Sequence, residues 1–195
     1  MRYAAAFLGF TLALGLAAPA NAQQDRPWWA SFDMGAGQLK LSTNLQQGTR
    51  DTSLTLGFAG GHRVTKWARV GLHANGWLMQ AFNMNDPTVG ESVGNVGGIV
   101  DVFLVKKKPL FLRVGGGVST YSNQRFAGMD GKGPGWEVGG GYEFRIGSMG
   151  IAPTVEYAAG QLGNGIAQAV TGTGLRYSVI EFKLAYICRF GGAKR

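Results

Sequence analysis

The last strand-like stretch, Ile180 to Phe190, constrains this chain more than any other feature. Ile180, Phe182, Leu184, Tyr186, Cys188 and Phe190 alternate with residues that include Glu181, Lys183 and Arg189. An apolar face set against a charged face at a period of two is a β-strand whose two sides meet different surroundings. In a water-soluble sandwich the charged side meets solvent and the apolar side a core. In a membrane-spanning barrel the apolar side meets lipid and the charged side lines the interior. The number and length of such strands decide between the two.

Eight stretches carry the pattern: 29–42, 52–64, 67–81, 93–105, 110–121, 135–146, 150–159 and 175–190. Most have the ~9–11 residues that cross a bilayer at a tilt, or somewhat more. One face holds Met34, Leu56, Phe58, Leu72, Val96, Val100, Leu112, Val138, Phe144, Ile151 and Val155. The other holds Asp33, Arg63, Arg69, Asp101, Arg113, Glu137, Glu143, Arg145, Glu156, Glu181, Lys183 and Arg189, with His73, Asn75 and Asn95. A soluble barrel would fill its interior with apolar side chains. Charges gathered on one face opposite a continuous apolar belt predict an interior charge network and a lipid-facing exterior. The gaps alternate long and short, which predicts an all-β, eight-stranded antiparallel up-and-down transmembrane β-barrel. Its short turns lie in the periplasm together with both termini, and its longer loops are extracellular.

The ends of the chain agree with export. Residues 1–22 have a basic start at Arg2, an apolar run and Ala20-Asn21-Ala22, the pattern of a cleaved signal peptide. The barrel domain then covers 23–195, in the outer membrane. One cysteine, Cys188, excludes an internal disulfide framework. The formal net charge of +8 is spread over alternate strand positions of an exported chain, so it does not predict nucleic-acid binding. Lys106-Lys107-Lys108 is expected to form a turn that could meet anionic headgroups. Trp28, Trp29 and Trp67 at the periplasmic ends, and Trp77, Trp136 and Tyr177 at the outer ends, are expected to form two interfacial girdles.

With this architecture the chain resembles the small eight-stranded outer membrane barrel proteins of Gram-negative bacteria, the group of OmpX, Ail and the OmpA membrane domain. The motif that carries the resemblance is terminal: Lys183, Ala185, Tyr186, Cys188 and Phe190 match a polar residue, a small one and alternating hydrophobes ending in an aromatic. The resemblance implies that this strand is the assembly signal read by the barrel assembly machinery. It also implies outer membrane lipids and lipopolysaccharide as surroundings. Ala185 stands where glycine is usual, and Gly191 to Arg195 extend past the aromatic.

Some small barrels of similar topology are lipid enzymes. The lipid A deacylases use a His-x-Ser pair late in the barrel, and the matching stretch here, Pro153 to Gly160, has none. The palmitoyltransferases use a loop histidine, whereas His62 and His73 fall on the second and third strands. Without a base and nucleophile in reach of each other, no catalytic residue is assigned. The spacing of Glu137, Glu143, Glu156 and Glu181 follows the strand period, so these carboxylates are expected to pair with lumen bases, and no metal or other cofactor is assigned. The expected role is non-enzymatic: envelope integrity or surface contact through the outer loops, with an unidentified loop partner. The alternatives are a host-adhesion barrel, a lipid-modifying enzyme and a narrow pore for small solutes. Gly115-Gly116-Gly117 and Gly139-Gly140-Gly141 suggest a register as well. A hairpin apex near Gly128 sets Gly115 opposite Gly141, Gly117 opposite Gly139 and Arg113 opposite Glu143.

Overall fold

A computed structural model describes residues 27–43, 47–79, 91–105, 108–123, 131–163 and 174–191. The signal segment 1–22 and most of the long-loop residues lie outside this set, as do Lys106 and Lys107 of the lysine run. The strands are β1 (Trp28–Ser42), β2 (Gln47–Arg63), β3 (Ala68–Met79), β4 (Glu91–Val105), β5 (Lys108–Asn123), β6 (Gly131–Tyr142), β7 (Phe144–Ile146), β8 (Met149–Gln161) and β9 (Arg176–Phe190). Each is antiparallel to its neighbours, and β1 pairs with both β2 and β9, closing the sheet on itself.

Nine segments make eight staves, because β6 and β7 are one strand interrupted at Glu143. The ladder to β8 stops at Gly141 opposite Thr154 and resumes at Phe144 opposite Ile151 with the register unchanged. Pro153 lies in the gap and has no N–H to donate. The Glu143 N–H turns the other way, to the carbonyl of Pro109 at 2.9 Å. The expected strand 135–146 therefore begins earlier, at Gly131, and carries a break. The second strand begins at Gln47 rather than residue 52. A strand of fifteen residues such as β9, rising ~3.3 Å per residue at a tilt of ~40°, climbs roughly 38 Å. That exceeds an apolar band of ~25 Å, so the staves extend past it.

Alternation sets the two faces. Leu72, Val96, Val114, Phe182 and Leu184 are exposed on the outside, while Asp33, Asp101, Glu137, Glu181 and Lys183 are buried within. The apolar belt is wrapped around an interior that is charged at its centre, with smaller apolar clusters around Trp29 and around Phe103 and Phe111 toward the termini. At the loop end the interior is apolar, built from Leu39, Trp77, Met79, Val93, Leu162, Tyr177 and Val179.

The two glycine runs do not face each other as expected. The register places Gly115 opposite Glu137, Gly117 opposite Gly135 and Arg113 opposite Gly139. The reason is volume. At these positions a long inward side chain lies across the neighbouring strand, and the glycine facing it leaves it a seat. The same pairing recurs: Gly57 lies between Asp33 and Asn75, Gly139 between Arg113 and Glu156, and Gly35 and Gly37 lie opposite Lys183 and Glu181. A Cβ on Gly115 would stand 2.8 Å from Glu137 Cγ, too close to be accommodated without movement.

Candidate functional site

Among the described residues ionisable side chains converge in the interior, and strand alternation delivers them there. Beneath the apolar plug, Trp77 Nε1 donates to Glu181 Oε2 at 2.7 Å, joining the plug to the charges. Lys183 Nζ bridges Glu156 at 2.7 Å and Glu181 at 3.2 Å. Arg113 spans the centre: its Nε meets Asp101 Oδ1 at 2.8 Å, its Nη1 meets Glu156 Oε1 at 3.1 Å, and Asp33 Oδ2 stands 3.8 Å away. To one side Asn75 Nδ2 donates to Glu137 Oε2 at 2.9 Å, and His73 Nδ1 sits 2.8 Å from Glu137 Oε1.

Toward the termini, Arg69 Nε donates to Asp101 Oδ2 at 2.6 Å and its Nη1 to Glu143 Oε2 at 3.1 Å. The Arg69 guanidinium lies 4.5 Å from the Trp29 ring centroid and 5.2 Å from that of Phe111. Glu143 also takes Arg145 Nε at 3.1 Å and the Arg189 guanidinium. The charges thus form one connected chain through Asp101, Arg113, Glu156 and Lys183. Each buried ion loses several kcal/mol of hydration, which its contacts offset only when every partner is present.

All twelve charges assigned to the interior from sequence point into the barrel or its terminus-side mouth. Asp33, Arg69, Asp101, Arg113, Glu137, Glu143, Glu156, Glu181 and Lys183 are buried. Arg63 and Arg189 are half-buried and Arg145 is exposed at the rim. Their pairing differs from the expected one. Arg113 meets Asp101, its neighbour on β4, and Glu143 meets Arg69, Arg145 and Arg189. The four-residue offset in the β5–β6 register is the cause.

The aromatic assignment needs a larger correction. Trp28 and Trp136 face outward, about half exposed, and Trp67 is half exposed in the turn between β2 and β3, but Trp29, Trp77 and Tyr177 point inward and are buried. Trp28 and Trp29 are consecutive, so alternation forbids both from facing lipid. Trp77 shares its parity with His73 and Asn75, and Tyr177 with Glu181 and Lys183. That parity was available in the sequence, and so was the inward parity of Phe103, Phe111 and Ile187, which pack together near the termini. In the terminal strand Lys183 and Ala185 are buried inside, Tyr186 is outward, and Phe190 pairs with Trp28 at the closing seam.

The two histidines sit on opposite sides of the wall. His62 meets the Trp28 ring edge-on at 4.9 Å, and His73 faces Glu137 inside. Among the described residues no group of three or more His, Cys, Asp and Glu side chains is placed to hold a metal ion. Cys188 lies on the outward parity of β9 and is half-buried.

No protein-family model matches the chain, and no curated protein matches it. Its structure is similar to that of Neisserial surface protein A, with a TM-score of 0.53 at 13% identity over 84% of this chain and 97% of that one. It is similar also to Ail, the attachment invasion locus protein of Yersinia pestis, with a TM-score of 0.52 at 9% identity over 83% and 99%. The outer membrane enzyme PagL has a TM-score of 0.46 at 15% identity over 81% and 99%. At these identities the likeness is one of fold: the chain folds as a small eight-stranded outer membrane barrel.

Proposed function

We propose that this protein is a non-enzymatic outer membrane barrel that acts as an anchor, presenting its extracellular loops for envelope integrity or surface contact. The observation that carries the reading is the filled interior. A chain of paired charges occupies the centre, with Trp77, Leu39 and Val179 packed above it and Trp29, Phe103 and Phe111 below. An interior occupied by side chains leaves the work to the outer surface and the loops.

The outer surface adds a partner chemistry. Near the loop end the outward positions include Lys40 on β1, Arg50 on β2, Lys132 on β6 and Arg176 on β9, and no carboxylate shares the outward strand face among the described residues. Lys40 and Arg50 are cross-strand partners between β1 and β2, and Arg176 lies opposite Ser42 on the other side of β1. Bases at the level of a headgroup layer are attracted to phosphate by roughly 1 kcal/mol each. This band supports lipopolysaccharide phosphates as its contact in the outer leaflet, with the loops outside and the termini in the periplasm.

The test is fractionation followed by reconstitution. The mature chain is expected in the outer membrane fraction with heat-modifiable gel migration, and in planar bilayers it is expected to show no stepwise conductance. Recovery as a soluble periplasmic protein would end the reading, and steady single-channel steps would replace it with a pore. A change in lipid A acylation on deleting the gene would replace it with an enzyme.

A further inference from the structure

Along the inner wall of β1 to β3 one charge of the network is left without a close partner. Asp33 is 2% exposed, yet its Oδ1 has no hydrogen-bond partner, and the one base within 4 Å of it is Arg113, whose Nη1 stands 3.8 Å from Oδ2. Arg113 is itself held at shorter range by Asp101, at 2.8 Å, and by Glu156, at 3.1 Å. A carboxylate taken out of water is stable only when a counter-charge and hydrogen bonds replace its hydration. The strands supply Asp33 with neither at close range.

Other oxygens gather beside it. Asp33 and Asn75 flank Gly57 in one row of the sheet. Asn75 Nδ2 donates to Glu137 Oε2 at 2.9 Å, which fixes the amide so that its Oδ1 turns the other way, over Gly57. A Cβ on Gly57 would strike Asn75 Oδ1 and lie 3.5 Å from Asp33 Oδ2, so an amide oxygen and a carboxylate converge on the bare glycine. Two acceptors brought together repel unless something positive lies between them. Thr55, the next inward position on β2, is fully buried, and Ser31, the next on β1, is 5% exposed, and neither hydroxyl has a partner. Buried polar groups are normally satisfied, so the orphaned oxygens of Asp33, Thr55 and Ser31 around one glycine mark a seat for a ligand that takes lone pairs.

We propose that the inner wall of β1 to β3 binds a small monovalent cation of the alkali class, sodium, held over Gly57 by the Asp33 carboxylate and Asn75 Oδ1, with the hydroxyls of Thr55 and Ser31 turned to the ion or to its water ligands. Hard oxygen donors suit alkali and alkaline-earth cations rather than transition metals, and a single carboxylate among neutral oxygens balances one positive charge rather than two. Bound there, the ion ties the first three strands to one another from inside and gives Asp33 the counter-charge that Arg113 divides among three carboxylates.

The experiment is urea unfolding of the full barrel in non-ionic micelles, with sodium chloride exchanged for N-methylglucamine chloride at constant ionic strength and folding verified by heat-modifiable migration. The organic cation screens charge equally but is too large for a seat beside Gly57. Above half-saturation, each tenfold rise in sodium is expected to lower the unfolding equilibrium constant about tenfold, the mark of one ion released on unfolding. Asp33→Asn removes the carboxylate and is expected to abolish this dependence. Thr55→Val keeps the side-chain shape and is expected to raise the half-saturating sodium concentration about tenfold, the worth of one hydrogen bond to a charged group, so the site stays testable if Asp33→Asn fails to fold. Unfolding indifferent to sodium would mean that water or a proton satisfies Asp33 and would overturn the proposal. A sodium dependence that survives Asp33→Asn, or a half-saturation unmoved by Thr55→Val, would overturn it as well.

Discussion

The loop-end third of the interior and its charged middle are built by the same strands at the same alternate positions, yet they are held together by opposite means. β1 contributes Leu39 to the plug and Asp33 to the charges. β3 contributes Trp77 above and His73 and Arg69 below, and β9 contributes Val179 above and Glu181 and Lys183 below. Facing inward therefore does not make a position polar. An enclosed position is stable either with an apolar side chain that needs no partner, worth ~1.5–3 kcal/mol when fully buried, or with a charge whose every contact is present. The plug tolerates loss of shape poorly, and the network tolerates loss of a partner poorly.

The largest effect expected is at the junction of the two. Trp77→Ala empties the centre of the plug and takes the indole donor from Glu181, and should lower unfolding stability in urea by about 4 kcal/mol. A loss under ~1 kcal/mol would mean the plug is dispensable and would dissolve the comparison. Asp101→Asn leaves Arg69 and Arg113 short of a charge and should cost about 3 kcal/mol in the same titration. A neutral result would mean that water enters and hydrates the network.

A double-mutant cycle sharpens the wiring. Arg113 and Asp101 should show a coupling of ~1–3 kcal/mol, whereas Arg113 and Glu143, joined only through Asp101 and Arg69, should show a clearly smaller one, below ~1 kcal/mol. Recovery of stability in a charge-reversed Arg113→Glu, Glu143→Arg protein would contradict the register. The smallest difference separates the two faces of the wall. Leu39→Ala, inside, should cost more than Leu72→Ala, outside, by roughly 1–2 kcal/mol, because only the inner site is left with a cavity.

Much of this barrel was legible in the sequence. Period-two alternation located all eight staves, and nine of the twelve charges it placed inside are buried there, while Arg63, Arg145 and Arg189 lie at the terminus-side mouth. The aromatic assignment failed where position along a strand was allowed to override parity: Trp29, Trp77 and Tyr177 lie near strand ends, but each shares the parity of an interior neighbour. The break at Glu143 was also present in the sequence, as Pro153 on the facing strand, yet it becomes visible only once the register is known. The register was misjudged because like was matched with like. Glycine was set against glycine and base against acid between β5 and β6, where the structure instead sets Arg113 against Gly139 and Glu137 against Gly115.

That complementarity has a consequence for how the cylinder closes. At the seam between the first and last strands, Lys183 and Glu181 take their seats over Gly35 and Gly37. A slip of two residues would drive Glu181 against Gly35 but leave Lys183 facing Asp33, two side chains in a space made for one. The final strand therefore has a single position in which both of its longest inward groups are housed. The inside of the wall thus fixes the register of the closing seam, because a slipped strand would crowd side chains where a glycine now leaves room.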